Sequence, residues 1–376
     1  MLKLVIIENQ ANDSDKNGKI IHPIAIHYLE HRDIQDFKAF ITSSYYYPES
    51  KSLGSNALAL VMSINLKRGY HFGKKEWYES AKQPIITIRA RNLISSKVIS
   101  SSFKKITPDD NACYMVSIFL TVQLLPNTIS VELLGDNGDN SVSIPFSIPP
   151  STNYHDVVVC ISPIFVAENW QTFLFAMHIY KKFGAFVNLY YISAVDSFYE
   201  LIKIYEEAGY LTIQPWVSIK LVGVDQNELD PYHQIEFRNQ AAAQTDCILK
   251  YKETAKFVTC LDLDDILIPK FAPTYLEEFQ TLLKKISENS YLTYDKRNYR
   301  AHTVNKFNKF SLSKMLESIE IGDVFESGKI VTDPKLMNFT WIHWTLNKNI
   351  KRVEVKNNWI THLKNVTWFF GIRYIK

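Results

Sequence analysis

The chain has 376 residues, of which 46% are hydrophobic and 22% charged, with 12 Gly and 14 Pro. This composition excludes disorder, collagen-like repeats and a disulfide-dense miniprotein, and at about 150 residues per domain it predicts two or three domains. Forty-two Lys and Arg against 39 Asp and Glu leave a formal charge of +3, too weak to point to nucleic acid or an acidic polymer as partner.

Across residues 1–150, β-type runs recur at 57–65, 85–90, 115–125, 129–134 and 141–146. This predicts a β-rich N-terminal accessory domain. The apolar run at 115–126 is interrupted by Ser117, Thr121 and Gln123 and falls short of the roughly 20 residues needed to span a bilayer. The turn-rich stretch 135–140 joins two of the strands as a hairpin connection. Its acidic residues lack the spacing and the closing Glu of an EF-hand loop. Pro145, Pro149 and Pro150 mark the boundary to a second domain over 151–376.

Beyond that boundary, strands and helices alternate. The continuous apolar run 157–161 predicts a strand buried on both faces. Trp170, Phe173, Leu174, Met177 and Tyr180 recur at helical spacing up to Gly184. A strand at 187–192 follows. Ser197 and Glu200, at capping-box spacing, then open a helix ending at Gly209. Residues 211–216 form a third strand, 234–251 contain a long helix and 257–263 form a fourth strand. The alternation predicts an α/β domain with a mostly parallel sheet flanked by helices, in which ligands bind beyond the carboxyl ends of the strands.

At the end of the fourth strand stand Asp262, Asp264 and Asp265. On extended chain Asp262 and Asp264 would point to one side, roughly 6–7 Å apart. Carboxylates this close repel unless a cation intervenes. Oxygen ligands of this kind suit magnesium or manganese, with substrate phosphates completing the shell. The alternative reading is a solvated acidic turn. Upstream, Arg238 and Asn239 open the long helix ahead of three Ala residues. Arg238 clamps a phosphate, pairs with one of the aspartates or forms an ordinary surface pair with a Glu, and the Ala run serves a close helix approach.

These residues resemble glycosyltransferase family 92. The resemblance rests on Glu168-Asn-Trp170-Gln171, Ile213-Gln-Pro-Trp216, the block Glu236 to Cys247, Leu261 to Pro269, Leu292 to Arg300, Gly328-Lys329, Trp341 to Trp344 and Thr361 to Asn365. It covers most of residues 157–365. It implies a GT-A, Rossmann-like fold, a divalent metal (manganese or magnesium) on an Asp-x-Asp motif, and inverting transfer of a hexose onto a glycan acceptor. For characterised relatives the donor is the UDP-sugar UDP-galactose. Asp262 and Asp264 match the metal motif, and His362 matches the late family histidine better than His343 does. Arg238, Asn239, Asp265 and Lys329 are the residues expected at the donor. Inversion also requires a carboxylate base, for which Asp323 and Glu326 are the candidates.

The family is usually anchored in the Golgi membrane with its catalytic part in the lumen. No anchor or secretory signal is legible in this chain, which implies either a fragment or a soluble copy. The sequons at Asn12, Asn338 and Asn365 and the absence of a Cys-x-x-Cys pattern are compatible with the lumen. Two competing readings stand beside the transferase. One is a catalytically inactive glycan-binding protein using the aromatic-rich first domain, for which the chain offers 21 Tyr, 22 Phe and 7 Trp. The other is a dehalogenase-like phosphatase, disfavoured because Ile266 stands where its nucleophile loop needs Thr or Val.

Overall fold

A computed structural model describes residues 2–4, 37–64, 67–68, 78–79, 85–108, 115–135, 141–217, 235–284, 289–304 and 306–368. The Asn12 sequon, Cys113 and most of the 135–140 turn lie outside them. Two compact units result, and they do not follow chain order. The first comprises Met1–Ser151, Pro215–Glu253 and Met337–Trp341, the second Thr152–Gln214, Thr254–Leu336 and Ile342–Lys376. The segments 215–253 and 337–341, expected in the second domain, thus belong to the first unit.

In the first unit, one sheet carries the strands Phe37–Tyr47, Ala57–Ile64 and Val116–Gln123 in antiparallel register. A second carries Ile86–Arg91, Ser96–Ser101, Ser130–Leu134 and Ser141–Ser143. Leu58, Leu60 and Met62 from the first sheet and Ile88, Val131 and Leu133 from the second share one core. Every residue of Ala57–Ile64 is buried, because its other face is covered by the helix Gln240–Lys250. Ala241, Ala242 and Ala243 are fully buried there. Their small side chains let the helix approach the sheet, and the Tyr47 hydroxyl donates to the Leu249 carbonyl at 2.7 Å.

The second unit is built on nine strands among the described residues. Val157 to Ile161 are buried within the strand His155–Ile164, which pairs in parallel with Ala185–Tyr191 and with Ala255–Leu261. The helices Trp170–Lys182 and Asp196–Glu207 pack Phe173, Tyr180, Phe198 and Ile202 into its core. Gly184 and Gly209 follow the two helices with φ of 82° and 71°, conformations that favour glycine after a helix end. The capping box expected at Ser197 does not form: the second helix starts at Asp196, with Val195 before it and no side-chain cap.

Beyond Ala255–Leu261 the sheet departs from the mostly parallel expectation. Glu320–Thr332 is antiparallel both to that strand and to Ser290–Thr303. Ile360–Trp368 runs parallel to Ser290–Thr303, and Asp265–Leu267 closes the edge antiparallel to Ile360–Trp368. The architecture is therefore mixed α/β with sheets dominating. Periodicity marks a strand but not the direction of its partner, which the connections decide. Cys160 is disulfide-bonded, whereas Cys260 is a buried free thiol.

Candidate metal centre

The acidic run does not continue the strand as expected. Ala255–Leu261 ends before Asp262, and the chain turns through residues 262–264 before the short strand Asp265–Leu267. The turn is closed by the Asp265 N–H, which donates to the Asp262 carbonyl at 3.0 Å. The three carboxylates consequently take three different environments.

Asp262 faces a buried cation. Its Oδ2 lies 3.0 Å from Nζ of Lys329, whose side chain is only 2% exposed. Burial by itself would raise the acid, but the charge and hydrogen bond of Lys329, with Lys296 and the Ser162 hydroxyl, bring it down to about 2. Asp265 is fully buried. Its Oδ1 accepts from Nδ1 of His362 at 2.8 Å and lies 3.5 Å from Nζ of Lys296. The Tyr180 hydroxyl donates to its carbonyl at 2.6 Å.

Asp264 is the carboxylate left facing outward, 44% exposed and 3.9 Å from Nδ1 of His362. Partial burial, followed by the like charges of Asp265 and Asp262, pushes it up to about 6. Asp264, Asp265 and His362 offer ligand atoms that all lie within 4.8 Å of one another. His362 reaches this position because Ile360–Trp368 places it directly across from Asp265 in the antiparallel ladder. The hydrogen bond to Asp265 raises the imidazole's pKa, against the effect of its burial. The other late histidine, His343, donates from Nδ1 to the Gly328 carbonyl at 2.7 Å and is lowered by burial. It is not one of the three clustered ligands.

Asp323 and Glu326 both lie on the strand Glu320–Thr332 but differ in character. Glu326 accepts from Nζ of Lys364 at 2.7 Å and from Nδ2 of Asn298 at 3.0 Å. These two bonds hold it at about 2. Asp323 is fully exposed, 4.0 Å from Nη2 of Arg297. It lines a cavity of about 270 Å³ together with Asn298, Arg300, Gly322 and Lys364. Asn298 also pairs with His362 across the neighbouring strand, so the cavity adjoins the candidate centre within the same sheet.

Arg238 and Asn239 do not open the helix as expected. Phe237, Arg238 and Asn239 have φ of 43°, 51° and 62°, a left-handed turn that precedes Gln240. Both belong to the first unit: Arg238 is exposed, and Asn239 is buried with its Oδ1 accepting from Ser63 at 3.4 Å. The sequon at Asn338 is not presented as an open acceptor, since its amide exchanges hydrogen bonds with Ser52. Residues not singled out from the sequence are Lys296, Asn298 and Lys364. The signal for them was their place inside the blocks 292–300 and 361–365 that carry the family resemblance.

The profile of glycosyltransferase family 92 matches residues 155–375. A family 92 protein of Caenorhabditis elegans is 47% identical over 338 residues, covering 89% of this chain and 65% of that relative. A second from the same nematode is 37% identical over 341 residues, covering 90% of this chain and 64% of the relative. The chain thus spans just under two thirds of the length of these curated relatives. Among solved structures, Staphylococcus aureus TarS is 13% identical over 41% of this chain and 36% of that one, with a TM-score of 0.22, too low to relate the folds.

Proposed function

We propose that this chain, which belongs to glycosyltransferase family 92, is an inverting hexosyltransferase acting from a nucleotide-sugar donor onto a glycan acceptor. UDP-galactose is the proposed donor, and manganese or magnesium the proposed cation. The observation that carries the reading is the convergence of Asp264, Asp265 and His362 just beyond the carboxyl end of a central strand. The parallel strands His155–Ile164, Ala185–Tyr191 and Ala255–Leu261 support a GT-A arrangement on this side of the sheet.

The donor set fits the cation. Two carboxylates and an imidazole are the hard oxygen and nitrogen ligands that manganese and magnesium accept. Charge arithmetic agrees: Asp262, Asp264 and Asp265 carry three negative charges, Lys296 and Lys329 two positive ones, so with His362 neutral one negative charge is left over. A divalent cation turns that balance to one positive charge, which favours a diphosphate. When bound, the cation neutralises charge developing on the departing diphosphate.

Lys329 holds Asp262 ionised, and Lys296 pairs with Asp265 and keeps it in place. In the reaction the bond from the anomeric carbon to the diphosphate oxygen breaks while the acceptor oxygen attacks from the opposite face. The acceptor's proton passes to a carboxylate. Asp323 is the proposed base, because Glu326 at about 2 is too weakly basic under Lys364 and Asn298. A Golgi luminal setting is proposed with this activity, supported by the disulfide-bonded Cys160.

Titration calorimetry with UDP, with and without manganese, followed by a UDP-sugar turnover screen, tests the reading. Manganese-dependent UDP binding and turnover that collapses in Asp264→Asn and His362→Ala are expected. Full metal-dependent turnover in both variants would overturn the site. Glycan binding without donor consumption would replace the transferase by a glycan-binding protein.

A further inference from the structure

The hairpin joining Ile86–Arg91 to Ser96–Ser101 in the first unit carries Leu93 and Ile94 at its tip, 89% and 93% exposed. Tips of this kind usually hold Gly, Asn, Asp, Ser or Pro, which supply turn geometry or hydrogen bonds. Here the turn chemistry comes from the flanking residues instead. The Asn92 N–H donates to the Ser95 carbonyl at 3.0 Å. Asn92 Oδ1 accepts from the N–H groups of Ile94 and Ser95 at 2.9 and 2.7 Å and from the Ser95 hydroxyl at 3.2 Å.

The turn is also tied to the neighbouring loop. Asn92 Nδ2 donates to the Pro126 carbonyl at 3.0 Å, and the Ile129 N–H donates to the Arg91 carbonyl at 2.8 Å. Ile129, 60% exposed, adds a third aliphatic group beside the tip. The two tip side chains contribute nothing to holding the hairpin closed, so folding does not explain them. Basic side chains stand on both faces of the hairpin below them: Arg89 and Arg91 bind Glu132 on one face at 3.2 and 3.4 Å, and the exposed Lys97, register partner of Ala90, stands on the other.

We propose that this tip inserts into the interface of an anionic lipid bilayer, with Leu93 and Ile94 at the acyl boundary and Arg91 and Lys97 among the headgroups. A bilayer fits better than a protein partner. Two side chains on a protruding turn offer far less than the roughly 800 Å² each partner buries in a stable protein interface. Interfacial partitioning, in contrast, gains from each aliphatic group and from each nearby cation facing acidic lipid. The preformed turn lets both groups enter together without ordering a loop first.

The test is co-sedimentation of the full chain with phosphatidylcholine vesicles containing about one fifth phosphatidylserine, beside vesicles of phosphatidylcholine alone. Binding to the anionic vesicles is expected. The pair Leu93→Ser with Ile94→Ser should lower the partition coefficient at least about tenfold. Arg91→Gln with Lys97→Gln should lower it severalfold on anionic vesicles only, as should added salt. A Leu93→Trp variant reads insertion directly, through a blue shift of its fluorescence on anionic vesicles. Failure of the unmodified chain to bind either vesicle, equal binding by the serine pair, or an unshifted Leu93→Trp spectrum would overturn the proposal. So would a dimer that the serine pair dissociates without changing vesicle binding, because the tip would then belong against a second copy.

Discussion

Replacing Lys329 by Met removes the positive half of the buried pair with Asp262 while keeping most of the side-chain volume. The carboxylate oxygen 3.0 Å away then stays in a partly buried site without its nearest cation. In the intact protein that carboxyl is held at about 2 against an ordinary 3.8. A shift of this size corresponds to about 2.5 kcal/mol of differential stabilisation. Breaking one side of a buried pair costs about 3–5 kcal/mol, so a loss of about 3 kcal/mol is expected. For a unit of this size the thermal midpoint should fall by roughly 6–12 °C, measured by calorimetry or intrinsic fluorescence.

The pH dependence gives the reasoning a second foothold. Because the folded-state pKa of Asp262 lies below the unfolded one, its stabilisation is complete above pH of about 4 and is lost as pH falls toward about 2. The wild-type midpoint should decline through that window. The Lys329→Met midpoint should lose most of this acid limb, since burial, the largest influence on the acid, is then opposed only by Lys296 and the Ser162 hydroxyl. Lys329→Met combined with Asp262→Leu should recover most of the loss by removing both charges. A midpoint drop below about 2 °C, or an acid limb unchanged in the single variant, would refute the buried pair.

Three further outcomes are expected. Manganese affinity by calorimetry should fall at least about tenfold in Asp264→Asn and in His362→Ala, while Asp323→Asn leaves it unchanged and lowers turnover about a hundredfold or more. Protons compete with the cation at Asp264, raised to about 6, and at His362, also raised, so manganese affinity should fall as pH drops through 7 and lose up to about a hundredfold per unit below pH 6. In Gly328→Ala the new Cβ would stand 1.4 Å from the Tyr294 carbonyl oxygen. The strands must separate there and disturb the carbonyl that His343 binds, so the variant should lose about 3 kcal/mol or more, or fail to accumulate in soluble form.

Much of the fold could be read along the chain because it depends on local periodicity. The run from Val157 to Ile161 and the helical spacing of Trp170 to Tyr180 each describe a single element, and each element formed where its pattern stood. Strand direction was not legible, since nothing within residues 290–303 says which neighbour will lie on either side. The left-handed turn at Phe237 to Asn239 was equally hidden, because bulky residues with positive φ give no local sign of it.

For the site, the amino-acid order alone determined that three acids cluster within four residues at the end of an apolar strand, since that is a matter of covalent spacing. Tertiary structure decided what each acid does. A turn after Leu261 removed Asp262 and Asp264 from a common extended face, and the register of Ile360–Trp368 brought His362 opposite Asp265 across 97 positions of chain. Lys329 and Lys296 arrived on two further strands to pair with Asp262 and Asp265. Charge neutralisation at a few ångströms depends on strand pairing between distant segments, and that pairing is an outcome of burying the whole sheet, with no counterpart in the spacing of neighbouring residues.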